Sequence, residues 1–228
     1  MKQKLLFLWA LILPSTGFTF AQTETASYFS VGVVGGYVHN SLTTSTGYRA
    51  FTKYGARESF ALGIVGRYTF NNWLAVQAEP SLIQKNFSWE RTEGSKYPDF
   101  YENRTNNYLQ LPVMAHFLFG GQQLKGFLNL GGFAGYQVSA HREGVTHDRA
   151  TNLYSYDEPF EFDSTRDNRL EYGLLAGIGL EYDTNGFTFF AEGRYEYGLS
   201  DLQKKYMIQQ IPRYNNTSVI QAGVMYNF

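Results

Sequence analysis

Five residues of this chain offer the raw material for hydrolytic or acyl-transfer chemistry: His39, His141, His147, Asp148 and Ser155. Such chemistry needs a serine, a histidine to take its proton and a carboxylate to orient the ring. No nucleophile motif surrounds any serine, and His141 and His147 are spaced too widely for a helical zinc pair. The acidic run Asp157, Glu158, Glu161 and Asp163 supplies oxygens suited to a divalent cation, but it lacks the spacing of an EF-hand loop. Lys204, Lys205 and Arg213, beside Tyr206 and Tyr214, suit lipid phosphates or a partner protein. The sequence therefore predicts a non-enzymatic protein with no catalytic, cofactor-binding or metal-binding residue, and these side chains are expected in solvated loops. The absence of cysteine excludes thiol chemistry, and a net charge of −1 argues against a nucleic-acid partner.

A second group of charges lies inside alternating segments. From Leu170 to Tyr182, the residues Leu170, Tyr172, Leu174, Ala176, Ile178, Leu180 and Tyr182 share one face, while Glu171 and Glu181 lie on the other. Period-two alternation is the mark of a strand with two different environments. The pattern recurs around Phe60 to Phe70, Phe187 to Tyr197 and Ser218 to Phe228, and four further segments follow it: Tyr28 to His39, Trp73 to Lys85, Tyr108 to Phe119 and Phe127 to Ala140. Their polar faces hold five carboxylates (Glu79, Glu171, Glu181, Glu192, Glu196) and three cations (Arg67, Lys85, Arg194). Arg67 is expected diagonal to Glu79, and Arg194 between Glu192 and Glu196. A soluble core could not bury so many charges without near-complete pairing, whereas a wet lumen can hold them.

Eight such segments predict an all-β fold, an eight-stranded antiparallel up-and-down transmembrane β-barrel in the cell outer membrane. Mean hydropathy is −0.32, yet aromatic residues make up 18% of the chain. These values agree in a barrel, where alternate residues of each strand meet lipid. Residues 1–21, with Lys2 and Lys4, an apolar run and Thr19-Phe20-Ala21, predict a cleaved signal peptide, leaving 22–228 as the barrel domain.

Connections alternate in length. Asn71-Asn72, Gly120 to Gly126 and Asp183 to Gly186 are short turns, whereas Asn40 to Arg57, Phe87 to Asn107, His141 to Arg169 and Ser200 to Asn216 are expected as long outer loops. Phe29, Phe70, Trp73, Phe119, Phe127, Tyr182, Phe187 and Phe228 gather at the short-turn end as an interfacial girdle. Pro80 and Pro112 remove ladder donors, and a bulge is expected at each. Inward Gly177 is expected to accept serine more readily than outward Leu174 accepts arginine.

The segments Ala75 to Pro80, Tyr108 to Pro112 and Glu171 to Tyr182 resemble the Bacteroidetes outer-membrane β-barrel domain family, often described as porin family or PorT-like. The resemblance spans the mature chain and implies the fold and location. It also implies an envelope or secretion-machinery component acting through its extracellular loops. Expected partners are outer-membrane lipid and lipopolysaccharide, the barrel-assembly machinery during insertion, and secretion or envelope proteins. A surface adhesin, a narrow pore and a lipid-modifying enzyme are the alternatives.

Overall fold

Alternation along each segment is satisfied in the computed structural model by one closed antiparallel sheet. The structure describes residues 27–44, 51–95, 99–148, 152–205 and 212–228, so the signal segment 1–21 and Tyr206 lie outside the described residues. Its strands are β1 (Tyr28–Thr44), β2 (Thr52–Asn71), β3 (Leu74–Ala78), β4 (Ser81–Gln84), β5 (Phe87–Arg91), β6 (Tyr101–Gly120), β7 (Leu124–His147), β8 (Leu153–Pro159), β9 (Leu170–Thr184), β10 (Phe187–Gly198) and β11 (Arg213–Asn227). β3, β4 and β5 are pieces of one strand lying between β2 and β6. The wall therefore has eight strands. β11 pairs with β1 over fifteen residue pairs, and the Phe228 amide donates to Phe29 O at 2.9 Å, which closes the sheet.

The turns follow from their residues. Asn185 and Gly186 both have positive φ, which a two-residue hairpin of the primed type requires and which asparagine and glycine adopt most readily. At the first turn the Asn71 side chain accepts from the amides of Trp73 and Leu74.

Neither proline produces the expected bulge. Register runs unbroken from Gly66↔Ala78 to Gly63↔Ser81 past Pro80, and Pro112 pairs directly with Phe133. The carbonyl of Pro80 accepts from Ile64 and that of Pro112 accepts from Glu79, so each proline withholds the return donor at that pair. The two losses fall on opposite sides of the same short stretch, Glu79-Pro80, and the strand breaks there between β3 and β4. The register shift along β6 and β7 lies instead at Asn107/Tyr108.

Much of the first three expected outer loops is strand, whereas the fourth contributes only Arg213 to Asn216 among the described residues. β1 continues to Thr44, β6 begins at Tyr101, β7 runs to His147, and β8 folds back on the end of β7. Pairing between β1 and β2 stops at Asn40↔Arg57. Beyond that level the start of β2, with β5, β6, β7 and β8, continues outward as a five-stranded blade.

The outward face carries the apolar residues: Leu62, Ile64, Leu174, Ile178 and Ile220 are each more than half exposed. Seven members of the expected girdle are exposed, with Phe187, Tyr226 and Phe228 in edge-to-face contact. Phe127 is the exception. It points into the lumen, fully buried against the His116 ring, because it pairs with inward Gly179 and its ring occupies the space a Cβ there would need.

Candidate functional site

All eight charges assigned to the polar face are buried inside the barrel. Three layers of ions cross it from the short-turn end outward. In the first, Arg67 Nη1 lies 2.6 Å from Glu181 and its Nε donates to Gln77, while His116 Nε2 lies 3.4 Å from Glu181. In the second, Arg194 reaches both oxygens of Glu79 and also Glu192, which takes further bonds from Asn129 and Gln221. In the third, Lys85 Nζ sits 3.2 Å from both Glu171 and Glu196, above the Phe133 ring at 4.3 Å.

The expected neighbour pairings are thus replaced by contacts across the lumen. Arg67 meets Glu181 rather than Glu79, and Glu196 meets Lys85 rather than Arg194. Only the Arg194–Glu192 contact lies within one strand, as expected. A side chain long enough to span a narrow barrel finds its counter-ion on the opposite wall, and strand adjacency alone does not reveal this. Val34, Val65, Leu118, Phe127, Phe190 and Met225 form an apolar cluster that helps fill the lumen around the first polar layer. An eight-stranded lumen is just wide enough for side chains to fill, and this one is filled.

The residues considered for catalysis do not assemble. His39 lies 3.7 Å from Glu58, and His141 contacts Asp157 across the β7–β8 ladder. His147 pairs with Leu153 and Ser155 with Val145 on the exposed hairpin. Asp148 accepts from the Asn152 amide and side chain, closing the hairpin turn.

The acidic run is also dispersed. Asp157 and Glu158 are engaged by His141 and Arg142, and Asp163 caps its own turn. Bonding from the Thr165 amide holds the Asp163 carboxyl below its ordinary pKa. Among the described residues no three His, Asp or Glu side chains converge as a metal site. Lys204 Nζ bonds Ser164 O, Tyr214 pairs with Thr43, Lys205 lies exposed, and Arg213 turns toward the barrel mouth.

Sequence reasoning missed the cap over that mouth. Phe160 and Phe162, between β8 and β9, pack edge to face, with Arg104 4.1 Å from the first ring and Arg169 4.3 Å from the second. Arg169 also donates to Gln137 O and Val138 O, the latter at the extra residue of the β7 register shift. Arg166 to Asn168 then pair with Leu202 to Lys204, joining the segments after β8 and after β10. The alternating Phe-Glu-Phe spacing was the available signal, hidden because the segment reads as an acidic loop.

A closed eight-stranded barrel with an apolar outer face, an aromatic rim and a charged interior is a transmembrane barrel of the outer-membrane type. The chain belongs to the outer membrane protein beta-barrel domain family, whose model matches residues 20–204, and its place is the outer membrane. Solved structures similar to it include Neisserial surface protein A (15% identity, 90% of this chain, 100% of that one, TM-score 0.45). Others are OprG from Pseudomonas aeruginosa (13%, 89% and 96%, 0.49) and outer membrane protein W of E. coli (12%, 90% and 100%, 0.48). No curated protein sequence matches the chain significantly.

Proposed function

We propose that this protein is a non-enzymatic docking component of the outer membrane, working through its outer blade while its lumen stays closed. The finer kinship suggested by the Tyr108 to Pro112 and Glu171 to Tyr182 motifs supports a PorT-like role beside an envelope or secretion machine. The observation that carries the proposal is the contrast between a lumen crossed by Arg194–Glu79 and Lys85–Glu171 pairs and a blade ending in a free edge. Among the described residues β8 pairs with β7 alone. Phe160 N bonds Ala140 O and Asp148 N bonds Asn152 O, so the even-numbered residues of β8 face β7. Leu153, Ser155 and Asp157 therefore present backbone donors and acceptors outward, a ready template for an added strand from a partner.

Planar-bilayer recording and a trimmed barrel together test this. Purified protein should give no large stable conductance, and joining β7 to β9 by a short turn below the blade should leave a folded barrel that has lost its cellular phenotype. An ion-selective current altered by Glu192→Gln or Arg194→Gln would favour the narrow pore. Acyl transfer or proteolysis lost on substitution of His141 or His147 would favour the enzyme.

A further inference from the structure

Beneath the cap lies a chamber of about 40 Å³, lined by Arg104, Tyr108, Gln137, Phe162, Asp167 and Arg213 among others. We propose that it holds one monovalent anion of halide size, bound between the guanidinium groups of Arg104 and Arg213.

Charge balance points to an anion. Arg104 is compensated by Glu102 at 2.7 Å, and Glu102 also accepts from Trp89 and Tyr156. Asp167 is compensated by Arg166, whose Nε and Nη2 reach its two oxygens at 3.0 and 3.2 Å. Asp201, the remaining carboxylate beside β11, takes the backbone amide of Arg213 rather than its guanidinium. Arg213 thus has no carboxylate within ion-pair distance among the described residues, and its guanidinium lines the chamber without a direct counter-ion.

Hydrogen bonding points the same way. Nε of Arg104 and Nε of Arg213 are both buried without an acceptor. Leaving such donors unmet is costly, and more so when they are charged. Burial lowers the Arg104 guanidinium from its ordinary pKa, and the nearby Arg213 charge adds to this. An anion would relieve both effects.

Size limits the choice. A cavity needs about 10–15 Å³ of such volume to hold one water, so the chamber has room for a compact ion with a water or two beside it. Such an ion would tie β6 through Arg104 and β11 through Arg213 to the joined segments that cap the mouth. It would hold the cap closed.

Crystals of the mature protein grown in sodium bromide test the site directly. An anomalous peak within hydrogen-bond reach of both Nε atoms is expected, and its loss in Arg213→Gln. A water at that position, or bromide bound elsewhere only, would overturn the proposal. In detergent, the thermal midpoint should be higher in chloride or bromide than in sulfate at equal ionic strength, by about 2–4 °C. Arg213→Gln should erase that difference. If that variant does not fold, Arg104→Lys, which keeps the charge but removes the Nε donor, should shrink it. A halide dependence equal in wild type and variant would equally overturn the proposal.

Discussion

Arg194 on β10 reaches across the lumen to Glu79, 115 positions earlier in the chain, with Nη1 2.7 Å and Nη2 2.8 Å from its two carboxylate oxygens. The same guanidinium holds Glu192. Removing one partner of a buried ion cluster costs more than never having built it, because the remaining charges stay buried. Arg194→Met should therefore destabilise the lipid-reconstituted barrel by about 3–5 kcal/mol, read by urea unfolding with heat-modifiable gel mobility. Adding Glu79→Met and Glu192→Met should recover part of this. A loss under about 1 kcal/mol would mean the layer is solvated rather than paired.

Two glycines on adjacent strands give a controlled comparison. A Cβ at inward Gly177 would stand 2.0 Å from Glu192 Oε1, whereas at outward Gly193 it would meet nothing within 4 Å. Gly177→Ala should cost about 1–3 kcal/mol by displacing Glu192 from Arg194, Asn129 and Gln221. Gly193→Ala should be neutral or slightly stabilising. The mild serine substitution expected at Gly177 from its inward position is thus opposed by the carboxylate occupying that space. Equal unfolding midpoints for the two alanine variants would contradict the facing assignment.

Leu174 is 58% exposed on the outer face of β9. Leu174→Arg should cost about 2–4 kcal/mol if it meets lipid near the midplane, measured by unfolding in vesicles. Full tolerance would place it outside the hydrocarbon.

Most of the wall was legible because one signal, alternation, dictates both strand and facing. Leu170 to Tyr182 and Phe187 to Tyr197 alternate as expected, and all eight inward charges are buried. Phe127 was misplaced because aromatic girdles and lumen fillers share a residue type, and only its register opposite Gly179 separates them. The prolines misled because a lost donor need not shift register when both losses fall at one existing break. Polar composition concealed the blade: above the lipid both faces of a strand are wet, so β8 lacks the alternation that identified the others. Pairings such as Arg67–Glu181 depend on the barrel's diameter, which no local pattern encodes.

Arg169 joins the capping segment to the wall by two backbone hydrogen bonds and by contact with the Tyr136 and Phe162 rings. Arg169→Ala should remove about 1.5–3 kcal/mol of local stability without unfolding the barrel. Proteolysis of intact outer-membrane vesicles should then cut the 149–169 segment faster than in the wild type, with heat-modifiable mobility unchanged. An unaltered cleavage rate would show that the cap is held by other contacts.

The docking account is tested most directly by photo-crosslinking in cells. A crosslinker replacing Ser155, on the free edge of β8, should capture a discrete envelope protein, whereas one replacing Ile178, on the lipid face, should not. Capture from position 155 should vanish when Leu153 and Asp157 are changed to proline, which removes the outward donors on either side of the crosslinker and leaves the β7 pairing amides in place. Equal capture from Ile178 and Ser155, or undiminished capture after the proline changes, would contradict the claim that this protein works through the outer blade.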